Sequence, residues 1–250
     1  MIDYETEKKG ELVGFIRVKQ LIRKAEKVRE EGDPWGSLNL LSEVDSEIFR
    51  LRGYVDDSKL NILCIEMLGQ EIVNYKHLYQ NEGKDFYLDR MDTAISQGLK
   101  FNVPEKYKAV FHLRKGDTLT SRGYTDLAEL QYQKACDLVK DDNNHTTAEY
   151  YGHFGEAKTQ VGQPDVGVAL TKLGLQIITR LKGSIEDWRW LIIASGLHGR
   201  LAKSAWKNRN RTLAVTSGVQ MFWMSVVLAI RHKKPQRLKQ FFLRLRGRGI

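Results

Sequence analysis

Apolar side chains recur along most of this chain at the three-and-four spacing of an amphipathic helix, and no stretch alternates strictly enough to read as a strand. Leu12, Ile16, Leu21, Ile22, Ala25 and Val28 mark a first helix. Gly32-Asp33-Pro34 ends it and starts the next, because glycine suits the C′ position, aspartate the N-cap and proline the first turn. The second helix carries Leu38, Leu41, Val44, Ile48 and Leu51; the third, capped by Asp57 or Ser58, carries Leu60, Leu63, Met67, Ile72, Tyr75 and Leu78. A fourth follows Gly83 with Leu88, Met91, Ile95 and Leu99. Pro104 opens a fifth that breaks at Arg122-Gly123, and a sixth runs to Leu138. Beyond the polar loop at 141–144, Thr146 or Thr147 caps a seventh, and an eighth contains Gly167, Thr171 and Gly174. Ser184-Ile185-Glu186-Asp187 reads as a capping box for a ninth, ending near Lys207. A tenth covers 212–230, and Pro235 opens a last one that ends at Gly247. The expectation is an all-α chain of antiparallel pairs around one continuous core, with a terminal helix.

Small residues sit where paired helices must touch. Gly116, Gly123, Ala128, Tyr132 and Ala135 follow one another at a spacing that resembles the tetratricopeptide repeat, a helix-turn-helix unit that stacks into a solenoid. Tyr151, Phe154, Gly155, Ala157, Gly162, Gly167, Thr171 and Gly174 echo it, and Ser37 takes the small-residue place in the second helix. The resemblance implies a non-enzymatic scaffold whose first helices line a concave groove for a protein or peptide partner. Its register places Val110, Leu113, Asp117, Thr120 and Ser121 in that groove, then Glu149, Gly152, Glu156, Thr159 and Gln160. The family's carboxylate clamp uses Lys and Asn at such sites. Leu113, Gly152, Asp117 and Glu156 stand there instead, so capture of a C-terminal carboxylate is not expected. An acidic groove suits a basic or polar segment.

Charge divides the chain differently from its helices. The net charge is +9, yet residues 188–250 hold 14 Lys and Arg and no carboxylate, which leaves the first 187 residues at −5. The sequence thus reads as an acidic helical-repeat body, 1–187, and a basic region, 188–250, whose helices continue or cap the stack. Three uses of that region compete. Residues 212–230 form 19 uncharged positions between Arg211 and Arg231, enough to cross a bilayer or to make a buried helix. Leu238, Phe241, Phe242 and Leu245 form an apolar stripe beside Arg237, Lys239, Arg244 and Arg246, which suits either an anionic membrane surface or a terminal cap. Lys203, Lys207, Arg209, Arg211, Arg231, Lys233 and Lys234 could instead meet nucleic-acid phosphates, with Trp206 as a stacking face and Trp188, Trp190 and Trp223 in the core. Attachment to an anionic membrane is the first choice, because phosphates have no use for the apolar stripe.

Catalytic signatures are missing from the sequence. There is no HExxH, CxxC or GxSxG, and the glycines before Lys158-Thr159 lack the phosphate-loop ending. No metal and no cofactor are expected. An enzyme remains the rival class, since an active site can be assembled from residues far apart in sequence. Cys64 and Cys136 lie within apolar helical patterns and read as buried thiols. With no apolar run among the first eleven residues, a reducing, cytoplasmic setting is expected, with possible attachment to a membrane through the C-terminal region.

Overall fold

A computed structural model describes residues 4–234 together with Leu238 and Phe242, with side chains from Val13 onward. Ten α-helices follow one another: α1 (Tyr4–Glu30), α2 (Pro34–Leu51), α3 (Asp57–Glu82), α4 (Phe86–Leu99), α5 (Ala109–Ser121), α6 (Thr125–Val139), α7 (His145–Gln160), α8 (Pro164–Arg180), α9 (Asp187–Lys207) and α10 (Arg211–Arg231). A 3-10 turn, Glu105–Lys108, leads from Pro104 into α5. Among the described residues there is no strand, only a single bridge between Arg52 and Val55. The helix expected from Pro235 lies outside the described residues.

Local chemistry explains most of the boundaries. Asp33 accepts a hydrogen bond from the Gly36 amide at 2.7 Å, with Pro34 at the first helical position, and Gly32 ends α1 at a φ of 101°. Gly83, at φ 70°, closes α3 in the left-handed conformation that costs glycine little. Other caps differ from the sequence reading by a residue or two. Asp56 caps α3 in place of Asp57 or Ser58, and Asn144 caps α7 by accepting from the Thr146 and Thr147 amides. A carboxylate or amide oxygen one position upstream reaches the free amides better than the hydroxyls inside the turn. Glu186 precedes α9 without a side-chain cap bond, so the expected capping box does not form.

Two compact units divide the chain at Phe111 and His112. The expected single core is therefore corrected to separate clusters. In the first unit, α3 packs on α1, α2 and α4 around Leu63, Ile72, Leu88, Met91, Ile95 and Phe111, all at 2% exposure or less. Burial of each large side chain stabilises by about 1.5–3 kcal/mol. Here Ser37, in its predicted small-residue place, is fully buried and accepts a 2.9 Å bond from Asn74. In the second unit, α7 packs on α6, α8 and α9, and α9 packs in turn on α10. Ala148, Ile178, Ala194 and Leu197 fill one core there, each at 1% exposure or less. The change of charge at 187/188 falls in the first turn of α9, inside this unit. Packing follows the apolar faces, which continue through α9 unaffected by the sign of the charges outside.

Candidate functional site

Successive first helices of the second unit, α5, α7 and α9, meet along one polar seam. Glycine lets them do so. A Cβ on Gly116 would stand 2.5 Å from the Tyr132 ring, so only glycine admits α6 that close. Gly155 and Gly167 face each other across α7 and α8, where a Cβ on either would reach the other's carbonyl oxygen at 2.5–2.7 Å. Thr159 donates to the Gly155 carbonyl or shares a proton with Ser204 of α9 at 2.6 Å, which ties α7 to α9 without an apolar contact. The glycines of the supposed phosphate loop, Gly152 and Gly155, are thus helix-packing positions.

The seam is built on Asp117, which is fully buried. Its Oδ1 accepts from the Tyr132 hydroxyl at 3.0 Å and lies 3.1 Å from His153 Nδ1, while its Oδ2 accepts from Arg114 at 3.0 Å. Arg114 also reaches Glu149 at 3.4 Å. On the far side of His153, Arg200 of α9 approaches Nε2 at 2.6 Å and donates from its Nε to Glu156 at 3.2 Å. Lys203 completes the chain with a 2.8 Å bond to Glu156. A guanidinium only donates, so His153 Nε2 accepts and Nδ1 carries the proton toward Asp117. Three carboxylates are thereby matched by two guanidiniums and one ammonium.

This matching corrects the expected acidic groove. Leu113 and Asp117 are fully buried and Thr159 is 1% exposed, so none of the three reaches a partner. Thr120, Ser121, Glu149, Glu156 and Gln160 are half-buried and Gly152 is buried, whereas Val110 packs against the core of the first unit and not on the seam. Arg114 and Arg200, which the sequence reading passed over, supply the neutralising charges together with Lys203, and His153, also passed over, links Asp117 to Arg200. Their only sequence signals are helical spacings: Arg114 with Asp117 at i, i+3 and Glu149 with His153 at i, i+4.

The electrostatics follow from these contacts. Burial pushes the Glu149 carboxyl up, but the His153 ring beside it, 3.7 Å away, and the Arg114 and Arg200 charges outweigh it and hold the group well below its ordinary range. Burial likewise opposes ionisation of Glu156, and Arg200 with Lys203 pulls it down to about 2. Burial and the neighbouring Asp117 charge drive the Tyr132 phenol well above its usual value. Because the folded-state carboxyl of Glu156 titrates below its unfolded counterpart, its contribution is fully present above about pH 4.5 and lost as pH falls through about 2. The difference in urea midpoint between the wild type and Glu156→Gln should therefore stay constant from pH 7 to 5 and shrink below that.

As chemistry, the seam is closed. The Asp117–His153 pair has the geometry of a general-base dyad, yet Arg200 occupies the nitrogen that would take a proton. Among the described residues, no group of three or more His, Cys, Asp or Glu is placed to hold a metal ion. Cys64 and Cys136 are buried free thiols, and burial pushes Cys136 up to about 12, which leaves it unreactive.

Two solved structures are similar to this chain in architecture. A point variant of a candidate kinesin light chain from Podosopora anserina, described as nearly identical TPR-like repeats, matches with a TM-score of 0.50 at 11% identity, over 87% of this chain and 97% of that one. The same protein without that substitution matches with a TM-score of 0.47 at 12% identity, over 86% and 97%. The fold is tetratricopeptide-like. No protein-family model and no curated protein matches the chain. The register of a tetratricopeptide-like stack assigns α5, α7 and α9 as first helices, in agreement with the seam that they share.

The basic region is less uniform than its composition suggests. Lys207, Arg209, Arg211 and Lys233 are exposed. Lys203 is tied to Glu156, and Arg231 lies 3.7 Å from Asp187, so both have partners inside the fold. Lys234 is 6% exposed, its ammonium 4.3 Å from the centre of the Trp188 ring, which removes it from the cationic surface. Arg237, Lys239, Arg244 and Arg246 lie outside the described residues, as do Phe241 and Leu245. Of the tryptophans expected in the core, Trp188 and Trp190 are half-buried, but Trp223 is 63% exposed. The alternative of a buried core helix at 212–230 is corrected with it: α10 has one face on α9, while Val215, Val219, Trp223 and Ile230 are exposed.

Proposed function

We propose that this protein is a non-enzymatic adaptor that binds a polar segment of a partner protein along the α5–α7–α9 seam. The observation that carries this reading is the tetratricopeptide-like stacking, which sets half-buried polar side chains of successive first helices side by side. Thr120, Ser121, Glu149 and Gln160 offer hydroxyl, carboxylate and amide groups at the edge of a seam whose buried charges are already matched. Such an edge favours an uncharged polar segment over a strongly basic one. The basic region attaches the same molecule to an anionic surface, with Lys207, Arg209, Arg211 and Lys233 as its exposed cations.

Affinity capture with the wild type and with Thr120→Arg/Gln160→Arg tests the first part. Both positions are half-buried at the edge, and because Thr120 also bonds the Tyr132 hydroxyl at 3.2 Å, a urea unfolding curve checks first that the variant keeps its fold. Recovery of specific partners should fall roughly tenfold or more, the loss expected when buried charge meets a polar site. Partners recovered equally by both proteins would place binding elsewhere. A thermal-shift screen against a metabolite panel tests the enzyme rival, since a ligand at 100 times its Kd raises stability by about 2.7 kcal/mol.

A further inference from the structure

Helix α10 has two apolar faces and, among the described residues, packs one of them on α9. Ala214, Ser217, Met221, Ser225 and Leu228 are its buried positions, and α9 is its packing neighbour. On the opposite side, Val215, Val219, Trp223 and Ile230 are 59%, 60%, 63% and 76% exposed. With the half-buried Val226 they fall at i, i+4, i+8, i+11 and i+15, one continuous stripe along the helix. The helix has a mean hydropathy of 1.8 over a window that is only 28% buried. An exposed apolar stripe of this length marks an interaction surface.

Charge identifies what covers it. Lys207, Arg209 and Arg211 stand exposed before and at the first turn, and Lys233 stands exposed just past the last, beside Arg231, which is exposed although it also lies 3.7 Å from Asp187. Between Arg211 and Arg231 there is no charged residue, and 188–250 contains no carboxylate. A helix of 21 residues spans about 31 Å, so a partner must offer negative charge at two places that far apart and hydrocarbon between them. An anionic bilayer surface offers this everywhere, with headgroups around the ends and acyl chains beneath the middle. Trp223 supplies the amphipathic ring that favours the boundary between the two.

Crossing the bilayer does not fit. The buried face of α10 lies on α9, which carries Arg189, Arg200 and Lys203, and Arg200 is bonded to Glu156 and His153 of α7. A spanning α10 would lose that packing or draw those charges into hydrocarbon. Cations at both ends also suit a helix lying flat, where both ends meet the same headgroup layer.

We propose that α10 lies in the plane of an anionic phospholipid membrane and inserts its outer stripe, while its inner face stays on α9. This rests on the reading that the basic region attaches the protein to an anionic surface, and it names the element that enters the bilayer. Sedimentation of the full chain with vesicles of phosphatidylcholine, alone or mixed with phosphatidylserine, tests it. Three proteins are compared: the wild type, a stripe variant (Val219→Asn/Trp223→Asn/Ile230→Asn) and a belt variant (Arg209→Gln/Arg211→Gln). All five positions are exposed, and circular dichroism checks that helicity is retained.

The wild type should bind the mixed vesicles and leave phosphatidylcholine vesicles largely empty, and each variant should bind the mixed vesicles about tenfold more weakly or worse. Brominated acyl chains should quench the wild-type tryptophan emission, and Trp223→Phe should remove most of that quenching. If the stripe variant binds as the wild type does, insertion is wrong and attachment by charge stands. If the wild type binds neither vesicle, both readings fall. A wild-type dimer that the stripe variant abolishes, or an RNA gel shift lost in the belt variant without vesicle binding, would overturn the membrane assignment in favour of a second copy or a nucleic acid.

Discussion

Asp117→Ala should lower the stability of the second unit by about 3–5 kcal/mol, the usual cost of removing one partner from a buried charge network. The carboxylate receives Tyr132, His153 and Arg114 at 3.0–3.1 Å and has no exposed surface. Alanine would leave a buried guanidinium, an imidazole N–H and a phenol without this shared acceptor. Asp117→Asn keeps an acceptor but not the charge that offsets Arg114, and should fall between alanine and the wild type. Tyr132→Phe removes one neutral donor and should cost about 1 kcal/mol, as a single hydrogen bond does. Hydrogen exchange at the amides of α5, α7 and α9 is the suitable measure, because the first unit has a core of its own. A loss below 1 kcal/mol for Asp117→Ala would mean that the network is a solvated surface feature, contrary to its burial.

Gly167→Ala should destabilise the same unit by about 2–3 kcal/mol, against the gain of about 1 kcal/mol that alanine brings to a helix interior. The added methyl would stand 2.5 Å from the Gly155 carbonyl oxygen, and backbone cannot move aside as a side-chain tip can. Opening α7 from α8 would also disturb Thr159, which joins Gly155 and Ser204. Gly218→Ala is the control. Gly218 is also helical, but nothing lies within 4 Å of the position a Cβ would take, so alanine should stabilise by about 0.5–1 kcal/mol. Equal effects at the two glycines would show that helix propensity and not close packing governs both.

The proposed membrane attachment and the proposed adaptor function would make different demands on the second unit. The seam along α5, α7 and α9 requires rigid, charge-matched packing, which Asp117 and the glycines supply. The outer face of α10 requires only that its inner face be held, which Leu228 and Met221 do against α9. The stripe and seam variants should therefore separate: loss of vesicle binding with partner capture retained, and the converse.

Much of the fold was legible because helices are specified locally. The 3.6-residue period, the Gly32-Asp33-Pro34 punctuation and the left-handed Gly83 and Gly123 depend on neighbours within a few positions. Gly116, Gly155, Gly167 and Gly174 were readable as contact positions for a related reason, since a repeat brings its own small residues together at fixed offsets. Asp117 was not readable. A carboxylate at an amphipathic border is drawn outward by default, and its burial was decided by Tyr132 and His153 arriving from 15 and 36 positions along the chain. Composition marked a basic region, but only packing showed that Lys203, Arg231 and Lys234 have partners inside the fold while Lys207, Arg209 and Arg211 face solvent. In α10 the hydrophobic pattern runs almost all the way around the helix, so periodicity could not say which side meets the protein. That choice fell to α9, whose shape accepts the small and flexible residues Ala214, Ser217, Met221 and Ser225 and leaves Val219, Trp223 and Ile230 outside.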